Sequence, residues 1–153
     1  MNEYSAADQR FMARALELAE RAQTQGEVPV GAVLVAGETV LAEAYNAPIA
    51  NSDATAHAEI LAIRAACRLA ANYRLPKTTL YVTLEPCSMC AGAIIHARIP
   101  RVVIAAREPR AGAAGSVLNV LHNELLNHQC SVQFGLFREQ SSEMLKSFFK
   151  SKR

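Results

Sequence analysis

Thr78-Thr79-Leu80-Tyr81-Val82-Thr83-Leu84-Glu85-Pro86-Cys87-Ser88-Met89-Cys90 is the stretch that decides the fold. Its first six residues are largely β-branched, apolar or aromatic, the composition of a strand. Pro86 has a fixed φ and no N–H, which suits the opening turn of a helix, predicted to run to about Ala97. A strand passing almost directly into a helix is the first half of a crossover unit. Arg101 to Ala106 supplies the next strand, parallel to the first.

Working upstream, Val28 to Val35 is a nearly continuous apolar run, expected as a strand covered on both faces. Ala36-Gly37-Glu38 turns the chain into a second strand, Thr39 to Tyr45, and the two are expected to pair as a hairpin. A polar loop, Asn46 to Thr55, leads to a helix from about Ala56 to Ala71. Ahead of all this, Phe11, Ala15, Leu18, Ala19 and Ala22 recur at helical spacing. Ser5 is the expected N-cap, Asp8 lies in the first turn, and Gly26 ends the helix. Downstream, a Gly-rich loop (Arg107 to Ser116) precedes a short predicted helix, Val117 to Leu126. Strand five, Ser131 to Leu136, and a last helix, Glu139 to Lys150, complete the chain. The order predicts an α/β fold, a three-layer α/β/α sandwich around a five-stranded mixed sheet, with residues 1–153 as a single domain. If strands two and three run the same way, the helices that follow them start at one edge of the sheet. Ligands bind there, outside the carboxyl ends of the strands.

At 153 residues and 16.6 kDa, with 51% hydrophobic and 20% charged residues, the chain has an ordinary globular composition. A net charge of +2 permits an RNA partner without demanding one. The one local concentration of charge is Lys146, Lys150, Lys152 and Arg153, which is either a solvated helix end or an RNA contact. The N-terminus lacks the pattern of a secretory signal, and no apolar run is long enough to span a bilayer. Four cysteines in such a chain point to metal, catalysis or burial before disulfides, and a cytoplasmic location is expected.

The two predicted helix starts carry His57-Ala58-Glu59 and Pro86-Cys87-Ser88-Met89-Cys90. Cys87 and Cys90, three apart, share a helix face. First-turn side chains lean toward the helix N-terminus, so His57 can converge on the same ion if its helix points end-on. One imidazole and two thiolates suit zinc with a fourth position open; cobalt and iron remain compatible with the ligand type. A closed structural site would need another ligand. His96 lies too far along its helix, while His122, His128, Cys67 and Cys130 show no ligand spacing. Glu59, beside the metal without being needed to bind it, is suited to shuttle protons; the alternative is an exposed first-turn glutamate.

Thr55-Ala56-His57-Ala58-Glu59-Ile60 with Leu84-Glu85-Pro86-Cys87-Ser88-Met89-Cys90-Ala91-Gly92-Ala93 resembles the bacterial tRNA-specific adenosine deaminases, in the cytidine deaminase-like zinc superfamily. The resemblance extends from Glu27-Val28-Pro29-Val30-Gly31-Ala32-Val33, through Gly112-Ala113-Ala114-Gly115-Ser116, to Phe148-Phe149. It implies hydrolytic conversion of adenosine to inosine at the wobble position of a tRNA anticodon, by a homodimer with one Zn²⁺ per subunit. Glu59 would carry protons to N1 of the adenine and to the departing amine. Asn46 resembles the family's base-binding amide, or is a turn residue. Val28 and Pro29 would wall the pocket, or pack in the core and at a strand edge. Glu108 and Arg110 match a loop that in the family lies along the anticodon, where Asp-x-Lys is more usual. Phe149, Lys152 and Arg153 resemble a C-terminal RNA-contacting end, with packing against Leu145 as the other reading of Phe149. Ala54 stands where the family commonly has Pro.

Two other functions fit parts of the pattern. The same zinc core could serve a free cytosine, guanine or cytidine deaminase, although His57 argues against the cytidine enzymes, which look to place Cys there. A non-catalytic zinc-stabilised RNA-binding module would have no use for Glu59 or for an open coordination position.

Overall fold

The computed structural model describes residues 3–152; Arg153, one of the expected RNA contacts, lies outside them. Helix α1 (Ala6–Thr24) starts in the predicted capping box, with Ser5 Oγ accepting the Asp8 amide at 3.0 Å and Asp8 accepting the Ser5 amide at 3.1 Å. Strands β1 (Gly31–Ala36) and β2 (Thr39–Tyr45) form the expected hairpin. A single turn of helix, α2 (Pro48–Asn51), interrupts the loop before α3 (Ala58–Ala70). Then follow β3 (Thr78–Leu84), α4 (Ser88–His96), β4 (Arg101–Ala106), β5 (Ser131–Phe134) and α5 (Arg138–Ser151).

The sheet is five-stranded in the order β2-β1-β3-β4-β5. β1 is antiparallel to both β2 and β3, whereas β3, β4 and β5 are parallel. Inward-facing residues alternate between two cores. Ala32, Leu34, Leu80, Val82, Val102 and Ile104 pack against Ala62, Ala66, Ile94 and Ile95 of α3 and α4. On the opposite face, Val33, Val35, Tyr81, Val103 and Ala105 pack against Phe11, Met12, Ala15 and Leu18 of α1. The three-layer sandwich expected from the element order is therefore present. At Gly31 β1 lies directly against α1: a Cβ there would overlap the Ala15 carbonyl and lie 2.8 Å from the Ala19 nitrogen.

Two expected elements differ. The run from Val28 is extended only from Gly31, because Pro29 has no N–H to give a ladder and Val30 N closes a tight turn on Val28 O at 2.8 Å. Val117 to Leu126 is not a helix. Its amides at Val117 and Val120 turn back to Gly112 and Ala113, while Asn119 and Asn123 capture neighbouring backbone groups with their side chains. No helix among the described residues is long and apolar enough to cross a membrane.

Candidate active site

β2 and β3 both run opposite to β1, so the chain leaves each at the same edge of the sheet and enters α3 and α4 there. His57 and Cys87 occupy the N-cap positions of these helices, both with extended backbone and neither using its side chain to cap. That leaves the imidazole and the thiol free to face each other. His57 Nδ1 lies 3.6 Å from Cys87 Sγ and 3.4 Å from Cys90 Sγ. Tetrahedral zinc bonds of about 2.0–2.3 Å space nitrogen and sulfur by roughly 3.5 Å, so the three atoms fit one zinc ion. Among the described residues no fourth imidazole, thiol or carboxylate joins the cluster. A zinc ion held by these residues would have three protein ligands, the number found where zinc acts on a substrate.

The electrostatics suit a dication. Cys87 is held down to about 3 by hydrogen bonds from Cys90 and then His57, whereas Cys90 is pushed well above the ordinary thiol range by sharing with Cys87 and by burial. His57 is raised by its contact with Cys87. Both helix N-termini favour thiolate over thiol at Cys87 and Cys90, the form in which sulfur binds a metal.

A pocket of about 200 Å³ opens on this cluster, lined by Val28, Val30, Asn46, His57, Glu59, Leu84, Glu85, Cys87, Glu108 and Ala111. Two of its carboxylates are buried, Glu59 and Glu85, and they differ in kind. Burial raises Glu59 to about 7, near neutrality, where a group can both take and give a proton. Burial would also raise Glu85, but the Ser116 hydroxyl and the amides of Glu108, Ser116 and Ala114 hold it below the usual range. Asn46, just past the end of β2, is buried and lines the pocket; its Oδ1 accepts the Ala58 amide at 2.8 Å.

A second hollow, about 430 Å³, adjoins the first and shares Val28, Asn46 and His57 with it. Gly26, Glu27, Pro48, Ile49, Phe148 and Lys152 form the rest of its wall. Of the expected contacts, Val28, Asn46 and Glu108 line the first pocket, and Lys152 lines the second. Pro29 is buried and lines neither. Arg110 is exposed on the loop, its amide bonded to Glu108 Oε1 at 2.9 Å. Phe149 is 47% exposed, edge-on to Phe148 at 5.3 Å, and lines neither hollow. Phe148, not singled out from the sequence, holds the wall position, and an i, i+3 spacing from Leu145 on one helix face was its available signal. Glu27 was missed as well. It braces α2 by accepting the amides of Ile49 at 3.2 Å and Ala50 at 2.8 Å.

Residues 5–106 match the cytidine and deoxycytidylate deaminase zinc-binding region. The chain is 47% identical to the tRNA-specific adenosine deaminase of Haemophilus influenzae over 147 residues, covering 95% of this chain and 85% of that one. A structure from biochemical and structural studies of A-to-I editing by tRNA:A34 deaminases superposes with a TM-score of 0.86 at 44% identity, covering 89% of this chain and 99% of the other. The guanine deaminase from Bacillus subtilis superposes with a TM-score of 0.64 at 40% identity, over 75% of this chain and 71% of that one. A His/Cys/Cys cluster at paired helix starts, on this sheet and with these likenesses, means that the chain belongs to the tRNA-specific adenosine deaminase family of zinc-dependent deaminases.

Proposed function

We propose that the protein converts adenosine to inosine by hydrolysis at the wobble position, A34, of a tRNA anticodon. The observation that carries this reading is the three-ligand cluster with a buried carboxylate beside it, in a pocket whose rim continues into a second hollow. Zinc, held by His57, Cys87 and Cys90, supplies Lewis-acid activation of water. Glu59 would take one proton from the attacking water and deliver it to N1 of the adenine, then take the second from the hydroxyl added at C6 and pass it to the amine, so that the C6–N bond breaks and ammonia leaves as the C6 carbonyl forms. Asn46 offers its Nδ2 to an acceptor on the purine, while Val28 packs against the base. The second hollow, with Phe148 and Lys152, is suited to neighbouring nucleotides of an already unpaired loop, where extruding a base costs little. Glu108, Arg110, Phe149 and Arg153 are proposed as further contacts along that loop.

A free purine base is the competing substrate, because a guanine deaminase shares the core. The more complete superposition on the A34 deaminases favours the RNA. Incubating the zinc-loaded protein with an anticodon stem-loop bearing adenosine at the wobble position, and separately with free adenine and guanine, decides between them. Inosine is expected from the RNA; ammonia released from a free base alone would overturn this assignment.

We further propose that the chain acts as one domain in the cytoplasm and as a homodimer. The large apolar side chains of Leu69, Tyr73 and Leu125, 67%, 73% and 94% exposed, are candidates for burial by a second copy. Sedimentation of the purified protein as a monomer would overturn the dimer.

A further inference from the structure

Glu85 sits where β3 hands over to α4, two residues before Cys87, and is 2% exposed. Its Oε1 accepts the Glu108 amide at 3.0 Å and the Ser116 hydroxyl; its Oε2 accepts the amides of Ala114 at 2.9 Å and Ser116 at 3.1 Å. All four donors come from one segment, residues 108–116. None carries a charge, and no cation pairs with this carboxylate among the described residues. The segment therefore folds into a concave set of N–H groups, the arrangement that binds anions, and the anion it holds is the protein's own side chain. Gly112 is pressed against it so closely that a Cβ would overlap the carboxyl carbon. The Ala113 amide adds a bond to Pro86 O at 2.8 Å.

Two consequences follow. With two donors on each oxygen, Glu85 has its lone pairs committed and is not available to move protons. And the segment it holds has almost no regular structure, yet contributes Glu108 and Ala111 to the pocket wall. We propose that Glu85 is a positioning residue: it fixes the 108–116 wall against the residues that precede Cys87, so that the RNA-facing rim and the metal ligands keep one relative geometry. This rests on the RNA deaminase reading given above.

The test uses zinc-loaded full-length protein and two variants, Glu85→Gln and Ser116→Ala. Glu85→Gln keeps size but presents an amide N–H₂ to the cradle, and Ser116→Ala removes one donor without touching the segment before Cys87. Both are expected to raise KM for the anticodon stem-loop, roughly tenfold for Glu85→Gln as for a lost charged hydrogen bond, with a smaller fall in kcat and zinc content unchanged. The double variant is expected to be less than additive, since both changes act on one contact. In parallel, amide exchange of residues 108–116 should quicken while that of α4 does not. Loss of zinc, a fall in kcat at unchanged KM, or additivity would overturn the proposal. Should Glu85→Gln fail to fold, Ser116→Ala alone carries both readouts. The exchange measurement needs no substrate, so unaltered exchange overturns the positioning role even if the RNA reading itself fails. A wild-type protein that makes no inosine indicts that reading alone.

Discussion

Asn46 Oδ1 accepts the Ala58 amide at 2.8 Å, so the last residue before the α2 loop caps the helix whose own N-cap residue, His57, has its side chain turned to the metal ligands. One side chain thus satisfies a helix start while lining the pocket, where the amide N–H₂ is proposed to meet the base.

Separating these two tasks is direct. Asn46→Asp retains an oxygen for the cap but loses the N–H₂ group; its stability should stay near that of the wild type while kcat/KM falls at least about tenfold. Asn46→Ala should lose both, with about 1 kcal/mol of stability gone in a denaturant titration. Equal activity of Asn46→Asp and the parent would remove the amide from substrate binding.

Glu59→Ala should fold, bind one zinc per chain, and lose turnover by a factor of about 10²–10⁴, the usual size of a missing proton shuttle. Single-turnover inosine formation measures this. A variant as fast as the parent would end the role assigned to this carboxylate.

Cys90→Ser and removal of zinc by a chelator should abolish inosine formation alike, because each leaves the cluster incomplete. Re-addition of zinc should restore the chelated parent and not the variant. Metal analysis beside thermal melting checks the point, and melting temperature should drop on chelation, since the ion binds the folded form.

Asp8 accepts hydrogen bonds from Arg101 at 2.9 and 3.0 Å and from Tyr81 at 2.5 Å. The Arg101 guanidinium foremost, against the opposing effect of burial, holds this carboxyl well below its ordinary value of 3.8. A depressed folded pKa means stabilisation that is complete above the unfolded pKa and fades as pH falls through the folded one. Asp8→Asn should therefore cost on the order of 2 kcal/mol at pH 7, and its deficit relative to the parent should shrink below about pH 4. A deficit independent of pH would show that the charge is not what matters.

Gly31→Ala should destabilise by about 1–3 kcal/mol or more, since α1 cannot back away from β1 without opening the core around Ala15 and Leu18. Equilibrium unfolding measures it, and a neutral substitution would mean that the two layers slide freely.

The sandwich and the metal cluster were legible because each rests on a local pattern. Thr78 to Leu84 has strand composition, Pro86 opens a turn, and His57, Cys87 and Cys90 follow from spacing once β2 and β3 share a direction. The short helix expected over Val117 to Leu126 failed because its apolar spacing does not mark a buried face: Val117, Leu118 and Leu125 are exposed, and Asn119 and Asn123 take the local backbone bonds. The bracing by Glu27 and Glu85 was not legible at all. Each depends on which amides a distant loop brings within reach, and a lone glutamate next to a strand carries no sign of that. Phe148 and Phe149 differ only by the rotation of α5, which a three- to four-residue period resolves poorly at a helix end.

The strands that lead to the imidazole and to the sulfurs are not neighbours; β1 lies between them, antiparallel to both. Until that middle strand is seated in register, the two halves of the coordination set have no fixed separation. A one-residue slip of β1 would therefore part the imidazole from the two sulfurs and leave the three-ligand cluster unformed.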